Sequence, residues 1–394
     1  MKNPKITLRR ESSRRIRSGH LWIFSNELNS IPKYEPGTVV EVFDYFGNSY
    51  GYGFYNPASL ISVRILDTNS EIGKDFFVDR IRKALSYRQE LVAKYKNYRL
   101  VYGESDYLPG LVIDKYENCF VLQIMSYGME LRKHEITQAL LEIFPDTLAI
   151  ISKGNSKLRE IEGLSSDDDL LFGVIPDVIN TDDFGIKLDI SLAKGQKTGY
   201  FLDQRYNRYK IREFALGKKV LDCFTNQGGF ALNAAYAGAT EITAVDSSGG
   251  ALELARKNAE INNYKINFVQ SDVFDFLDES YNLEKKYDIV VLDPPAFTKN
   301  KKTVKTALAA YSKLNKFGMR VVENGGYLFT SSCSQHISED ELLDVIMKEA
   351  SKLSLQLKLI HRGDHAIDHP VLLSMPETKY LKFFIFKIEY RNLF

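Results

Sequence analysis

Residues 220–235 have the sequence VLDCFTNQGGFALNAA, in which an apolar strand-like run passes through two glycines into a helix-like segment. Glycine lets a ligand approach the backbone closely, and the N-terminus of a helix presents N–H groups to it. The apolar runs EITAVD, NFVQSD, YDIVVLD and GGYLFTS follow, separated by segments with helical spacing. This alternation predicts an α/β fold with a parallel sheet covered on both faces by helices. Ligands of such sheets bind at the carboxyl ends of the strands.

The length and composition predict several ordered domains. At 394 residues, the chain exceeds the size at which a single hydrophobic core stops growing. Its 44% hydrophobic and 26% charged residues are typical of a globular protein. Short alternating runs broken by Gly, Pro and Asn predict a small β-barrel in residues 1–70, and mixed helices and strands predict a small α+β domain in 71–185. The α/β pattern occupies residues 186–394.

Three features of the sequence concern the cellular location of the protein. No apolar run reaches the roughly 18 residues of a membrane span, so we expect no membrane partner. The N-terminus is charged where a signal peptide would need an apolar segment. The three cysteines are too few and too widely spaced for a disulfide framework or a metal knuckle. These features together predict a cytoplasmic protein.

The first 22 residues are strongly basic, although the net charge of the chain is only +1. Against the single acid Glu11, this stretch carries the arginines Arg9, Arg10, Arg14, Arg15 and Arg17. Such a stretch can neutralise phosphates of a nucleic acid. It can equally be the solvated face of a small helix, and the stretch by itself leaves both interpretations open.

Acids at the ends of the predicted strands favour a nucleoside ligand. The turn at Gly228 and Gly229 lacks the G-x-G-x-x-G spacing that places a pyrophosphate on a helix. Asp246 ends the second strand, where a carboxylate can accept hydrogen bonds from two ribose hydroxyls, and Asp272 ends the third, where one can accept the adenine amino group. A nucleotide-binding fold without a phosphate loop suits S-adenosylmethionine. Two alternatives remain: the glycines as a tight turn, and Asp246 as a helix cap.

The fourth strand ends in VVLDPPAFTKNKK, residues 290–302. Pro294 and Pro295 stiffen the loop and direct Asp293 and backbone carbonyls into the ligand cleft. Because proline cannot extend a central strand, a purely structural role explains this pair poorly.

Taken together, these motifs resemble class I S-adenosylmethionine-dependent methyltransferases. GHLWIFSNEL (19–28), GESDYLPGLVIDKY (103–116) and TGYFLDQRYNR (198–208) narrow the resemblance to bacterial 23S ribosomal RNA cytosine-5 methyltransferases of the RlmI type. That family implies an N-terminal β-barrel PUA domain, a small α+β central domain and a Rossmann-like methyltransferase domain. It also implies S-adenosyl-L-methionine as cofactor, large-subunit ribosomal RNA as partner, and a homodimer. PUA domains bind RNA, which favours the phosphate-contact interpretation of the N-terminal arginines.

The resemblance assigns expected roles to individual residues. The expected cofactor-binding residues are Phe224, Thr225, Asn226, Gly228, Gly229, Asp246, Ser247, Asp272, Asp293 and Gln204. Besides the five N-terminal arginines, the expected RNA contacts are Arg205, Pro294, Pro295, Phe297 and Lys299. Phe201 and Asp203, in TGYFLDQRYNR, are further candidates for the pocket, and a salt bridge between Asp203 and Arg205 is the structural alternative.

Cys333, in TSSCSQH (residues 330–336), is the expected nucleophile. Carbon 5 of cytosine becomes reactive once a thiolate adds to carbon 6, and Asp293 is expected to contact N3 and orient the base. The hydroxyls of Ser332 and Ser334 and a helix N-terminus near Ser338 are candidates for stabilising the thiolate. Many RNA cytosine-5 methyltransferases carry a second cysteine where this chain has Ala296, so a single candidate thiol remains.

Two other functions stay open: methylation of a purine exocyclic amine, in which Cys333 would be dispensable, and RNA binding without turnover. Near the C-terminus, His365, Asp368 and His369 have residue types found in metal sites. No further ligand stands nearby and the chemistry needs no metal, so we expect a hydrogen-bond cluster or a wall of the substrate pocket there.

Overall fold

The structure is a computed structural model that describes residues 3–66, 72–92, 95–154, 157–192, 198–298 and 300–391. The chain divides into two compact units. The first unit comprises Met1–Ile179, Ser191–Leu202 and Ile367–Thr378, and the second comprises Asn180–Ile190, Asp203–Ala366 and Lys379–Phe394. The domain boundaries at residues 70 and 185 remain predictions.

The first unit begins with a β-rich segment. Its elements are β1 (Lys5–Thr7), α1 (Ser13–Arg17), β2 (Trp22–Phe24), β3 (Thr38–Phe43), β4 (Ser49–Tyr55) and β5 (Ile61–Ile65). The strands form a sheet in the order β1-β3-β4-β5-β2, in which β1 pairs with β3 in parallel and the other neighbours are antiparallel. Val40 and Val42 alternate with more exposed residues and enter the core, as expected of a half-buried strand.

The rest of the first unit is an α+β segment. Its elements are α2 (Lys74–Val92), β6 (Asn97–Tyr102), β7 (Leu111–Tyr116), β8 (Cys119–Ile124), α3 (Tyr127–Glu130), α4 (Lys133–Ile143), β9 (Ala149–Ser152), α5 (Lys157–Glu162) and β10 (Asp169–Gly173). The strand order is β10-β9-β8-β7-β6. Helix α2 buries Phe77, Ile81 and Ala84, whose spacing places them on one face toward this sheet.

The second unit contains the alternating pattern. Its elements are β11 (Ile179–Asp183), β12 (Ile186–Ile190), α6 (Arg205–Lys210), β13 (Lys219–Cys223), α7 (Gly229–Tyr236), β14 (Glu241–Asp246), α8 (Gly249–Ile261), β15 (Asn267–Gln270), α9 (Val273–Asn282), β16 (Tyr287–Leu292), α10 (Val304–Val321), β17 (Val322–Ser332), α11 (Glu339–Lys352), β18 (Leu355–Gly363) and β19 (Lys382–Tyr390). Strands β11 and β12 pair with each other.

The main sheet of the second unit has the order β15-β14-β13-β16-β17-β19-β18. Strands β13 to β17 are parallel, whereas β19 is inserted antiparallel between β17 and β18. The chain moves outward in one direction after β13 and in the other after β16. The carboxyl end of β13 is therefore the point at which the strand order reverses, where ligands of such sheets bind.

Apolar side chains from the two faces of this sheet enter two separate cores. Leu221 and Val290 belong to the cluster that includes α9, α10 and α11, whereas Val220 and Ile289 belong to the cluster that includes α7. Successive residues of a strand point to opposite faces, so each run must be apolar throughout. The carboxyl ends of these strands are where the predicted site acids lie.

Candidate functional site

The turn between β13 and α7 is a tight loop with an unusual backbone. Phe224, Asn226 and Gly228 have φ angles of 60°, 50° and 83°, in the left-handed region that only glycine adopts without cost. Asp222, fully buried at the end of β13, stabilises the loop: its Oδ2 accepts the Thr225 hydroxyl at 2.5 Å and a backbone N–H of α7 at 3.0 Å. Burial raises the pKa of Asp222 to about 7. Asp222 is not among the residues that the sequence predicts for the site, although an acid at a strand end is a signal that could identify it.

Asp246 connects this loop to the end of β14. Its Oδ2 accepts the backbone N–H of Asn226 at 2.9 Å, and its Oδ1 accepts that of Ser248 at 2.9 Å. The N-cap of α8 is Ser248, whose hydroxyl accepts a backbone N–H of the helix at 3.3 Å. Asp246 is therefore not the cap itself. Its carboxylate has a fixed orientation at the strand end, next to the exposed Ser247.

Asp272 is the N-cap of α9, the helix that follows β15. Its Oδ1 accepts the backbone N–H groups of Phe274 and Asp275 at 2.8 and 3.3 Å, at the start of α9. The side chain is exposed, and Oδ2 takes no part in these bonds. An acceptor therefore remains at the end of β15.

Asp293 lies at the end of β16 and is held by two donors. Gln204 donates its Nε2 to Oδ1 at 2.8 Å, and the hydroxyl of Ser331 donates to the same oxygen. The amide oxygen of Gln204 in turn accepts Nδ2 of Asn207 at 2.7 Å, which fixes the orientation of the amide. Burial raises the pKa of Asp293 to about 6, against the lowering effect of the Ser331 hydroxyl. A fraction of this carboxyl is therefore protonated near neutral pH.

The sheet register brings Cys333 to the loop that follows Asp293. Leu292 pairs with Thr330 across β16 and β17, so the segments that leave the two strands run side by side. The Cys333 sulfur lies 3.8 Å from the carbonyl oxygen of Pro294. Cys333 is partly exposed, whereas Cys119 and Cys223 are buried. Cys333 is thus the cysteine that solvent reaches beside the Asp293 loop.

Tyr311, on α10, fixes the segment around Cys333. Its hydroxyl accepts the Ser332 hydroxyl at 2.9 Å and shares a hydrogen bond with the Ser334 hydroxyl at 3.0 Å. The Ser332 hydroxyl thus donates to Tyr311, and stabilisation of the thiolate by the two serine hydroxyls remains a prediction. The ring of Tyr311 also packs on Phe297 with centroids 4.7 Å apart. Tyr311 was not among the predicted site residues, and nothing in its local sequence marks it.

Two buried charged groups lie at the start of α6: Asp203 just before the helix and Arg205 as its first residue. Arg205 is 2% exposed, and its Nε donates to Asp183 at 2.7 Å. Asp203 accepts the hydroxyl of Tyr380 at 2.5 Å. An RNA contact of Arg205 remains a prediction, and its observed hydrogen bond is to Asp183.

The five predicted N-terminal arginines differ in their surroundings within the first unit. Arg15 donates to the Glu27 carboxylate at 2.6 Å and lies over the ring of Phe24. Arg9 and Arg17 also make side-chain hydrogen bonds, to a backbone carbonyl and to a tyrosine hydroxyl. Arg10 and Arg14 are exposed and form no ion pair with any described residue. An RNA contact of the five arginines remains a prediction.

The C-terminal cluster is a set of hydrogen bonds. In the second unit, Nε2 of His365 lies 3.3 and 3.1 Å from the backbone nitrogens of Tyr380 and Leu381. In the first unit, Asp368 contacts His369 Nδ1 at 2.8 Å and accepts the N–H of Arg99 at 2.9 Å. In the ranges that the structure describes, no group of three or more His, Cys, Asp or Glu side chains is arranged to hold a metal ion.

Lys299, a predicted RNA contact, lies outside the described residues. Among the helices of the described residues, none combines the length and the apolar character needed to cross a bilayer.

Comparison with known proteins finds two family models that match this chain and several similar full-length relatives. A family model for a PUA-like domain matches residues 6–68, and one for S-adenosylmethionine-dependent methyltransferases matches residues 166–374. The chain is 35% identical over 394 residues to the ribosomal RNA large subunit methyltransferase I of Klebsiella pneumoniae, covering 98% of each protein. It is 37% identical over 388 residues to the protein of the same name from Shewanella frigidimarina, covering 96% of this chain and 98% of that one.

A solved structure shares the fold. It is described as a methyltransferase complexed with SAH, and it superposes with a TM-score of 0.86 at 22% identity, over 98% of this chain and 100% of the other. The predicted α/β fold with an N-terminal PUA-like domain is confirmed. S-adenosylmethionine is confirmed as the cofactor. The chain belongs to the S-adenosylmethionine-dependent methyltransferase family, in the branch of the relatives named ribosomal RNA large subunit methyltransferase I.

Proposed function

We propose that this protein methylates carbon 5 of a cytosine in large-subunit ribosomal RNA. The names of the relatives support the RNA substrate. One observation carries the choice of atom: the Cys333 sulfur lies 3.8 Å from the carbonyl oxygen of Pro294, the residue that follows Asp293. A thiol and an acid at the ends of adjacent strands are the two groups that carbon 5 chemistry requires.

In this proposal the cofactor binds to the loops at the carboxyl ends of β13, β14 and β15. Asp246 accepts two ribose hydroxyls, since its backbone hydrogen bonds fix its orientation and leave lone pairs on both oxygens. Asp272 accepts the adenine amino group through Oδ2. The left-handed backbone at Phe224, Asn226 and Gly228 brings the chain close to the ligand. When bound, S-adenosylmethionine supplies an electrophilic methyl group on a sulfonium.

The protein residues perform the remaining steps. The thiolate of Cys333 adds to carbon 6 of the cytosine, and the electron pair of the 5,6 double bond becomes available at carbon 5. Carbon 5 takes the methyl group, a base removes its proton, and the returning electron pair expels the thiolate. Asp293 hydrogen-bonds N3 as charge builds there, which a carboxyl with a pKa of about 6 can do as a donor.

RNA contacts outside this pocket belong to the same proposal. The exposed Arg10 and Arg14 neutralise phosphates, and Pro295 and Phe297 form the rim at the target base. The homodimer and the contacts of Lys299 remain predictions.

The test is methyl transfer to unmodified ribosomal RNA with labelled cofactor, followed by digestion to nucleosides. Cys333→Ala is compared with Cys119→Ala, which removes a buried thiol in the first unit. We expect 5-methylcytidine from the wild type and the control and none from Cys333→Ala. Methylated purine from all three proteins would establish the purine reaction instead. RNA binding without any methyl transfer would leave only a binding function.

A trapping experiment tests the covalent step directly. RNA carrying 5-fluorocytidine lacks the proton whose loss releases the enzyme, so the adduct on Cys333 should accumulate. Absence of the adduct at a site that is otherwise methylated contradicts the mechanism.

A further inference from the structure

Lys382 is a buried cation beside the segment that carries Cys333. It begins β19, and the antiparallel register pairs it with Ser332 of β17. The residue is 7% exposed. Its Nζ donates to the carbonyl oxygen of Ser334 at 2.7 Å and to that of Tyr380 at 2.9 Å. One of its acceptors thus belongs to the residue directly after Cys333.

The charge of Lys382 has no direct counter-ion in the described part of the chain. No described carboxylate forms an ion pair with Lys382, and the two acids near it pair with other cations. Asp364 pairs with Lys379, and Glu339 pairs with Arg362. Burying an ammonium in this way costs free energy unless an anion compensates it.

Among the groups around Lys382, Cys333 is the one whose negative charge would most favour the charged form of the lysine. Burial lowers the pKa of Lys382 to about 8, and the largest opposing effect comes from Cys333. The other charged groups that act on it are Lys379, Asp364 and Glu339, and Lys382 itself acts on Glu341.

We propose that Lys382 is a positioning residue that stabilises Cys333 as a thiolate. The two carbonyl acceptors fix two of the three N–H groups of the ammonium, which holds the charge beside the Ser332–Ser334 segment that carries the sulfur. When the thiol loses its proton, the uncompensated ammonium becomes half of an ion pair, so ionisation is favoured. This inference rests on the proposed role of Cys333 as the nucleophile.

The proposal sets a pH window. A nearby cation lowers the pKa of the thiol, so the thiolate forms at a lower pH than that of an ordinary cysteine, whose pKa is about 8.5. The pair persists until the ammonium loses its own proton at higher pH. Without the lysine, the rising limb of the rate against pH moves to higher pH.

The test is the rate of iodoacetamide alkylation of Cys333 as a function of pH, read at the Cys333 peptide by mass spectrometry. The variants are Lys382→Met, Lys382→Arg and, as a matched control, Lys387→Met on the same strand. In Lys382→Met we expect a thiol pKa higher by about one unit and alkylation at pH 7 about tenfold slower. Lys382→Arg restores much of the effect because it keeps the charge, and Lys387→Met leaves the wild-type profile unchanged.

An unchanged profile in a Lys382→Met protein with a native circular dichroism spectrum overturns the proposal. If Lys382→Met does not fold, the wild-type profile still decides: a Cys333 pKa at or above about 8.5 refutes stabilisation of the thiolate. Alkylation requires neither RNA nor cofactor. Full methyl transfer by Cys333→Ala would therefore refute the proposed function, while the alkylation profile would separately decide the coupling between Lys382 and Cys333.

Discussion

Replacing Tyr311 by phenylalanine removes one hydroxyl and leaves the ring in place on Phe297. That hydroxyl is the hydrogen-bond partner of Ser332 and Ser334, the two residues that flank Cys333. Both serines are 0% exposed, so water cannot replace the lost partner. The variant therefore tests whether the hydroxyl holds the Cys333 segment in position.

The size of the effect follows from these two bonds. Leaving a buried hydroxyl without a partner costs roughly 1–3 kcal/mol. Ser332 still accepts the backbone N–H of Ser334, but its own O–H loses the Tyr311 oxygen as acceptor. We expect the free energy of unfolding to fall by about 2 kcal/mol. A positional error of Cys333 that costs about 1.4 kcal/mol in the transition state would lower the rate of methyl transfer about tenfold.

Urea unfolding followed by circular dichroism measures the first quantity, and single-turnover methyl transfer measures the second. Tyr264→Phe is the matched control, because the Tyr264 hydroxyl makes no hydrogen bond with any described residue. The reasoning is refuted if Tyr311→Phe matches both the wild type and this control in stability and rate. Lower stability with an unchanged rate would show that the hydroxyl stabilises the fold without positioning the thiol.

Three further predictions concern other parts of the molecule. The stability of Asp293→Asn relative to the wild type should increase between pH 4 and pH 7, by up to about 3 kcal/mol in urea unfolding. Because the pKa of Asp293 is raised from 3.8 to about 6, ionisation of this carboxyl destabilises the native wild-type protein as pH rises. A stability difference that does not change with pH would contradict this. Arg10→Ala with Arg14→Ala should weaken RNA binding and reduce the salt slope by about 0.7–0.9 per lost phosphate contact in filter-binding titrations, and an unchanged slope excludes these contacts. Gly128→Ala should destabilise the protein by about 1–3 kcal/mol, because the alanine Cβ would lie 2.1 Å from the buried ring of Phe54. Gly73→Ala is the control: the space around its Cβ is open, so its melting temperature should equal that of the wild type.

Much of the sheet in the second unit is predictable because its signals are local. The runs that become β13, β14, β15 and β16 are mostly apolar on both faces, and each has an acid within two residues of its end, at Asp222, Asp246, Asp272 and Asp293. Burial between two helical layers requires the apolar run, and the strand end is where a polar group again meets solvent or ligand. The parallel sheet and the location of the site could be predicted on those grounds.

The supports of the site are not predictable in this way. Tyr311 and Lys382 lie far along the chain from the residues that they contact, and their own neighbourhoods carry no special pattern. Gln204 is expected at the site only through the resemblance of TGYFLDQRYNR, and its hydrogen bond to Asp293 is seen only in the structure. The apolar run of β19 is consistent with a central strand, but nothing in it specifies insertion between β17 and β18. Roles of this kind depend on pairing between distant segments.

The sequence by itself determined the alternation of strands and helices, the acids at the strand ends and the cysteine beyond β17, because hydrophobic period and residue type are properties of short segments. Only the tertiary structure decided that the Cys333 sulfur lies beside the Asp293 loop, and that Lys382 lies opposite Ser332. The reason is that strand register and burial are fixed by hydrogen bonding and packing between segments remote in sequence, and these contacts also set the pKa values of Asp293 and Lys382.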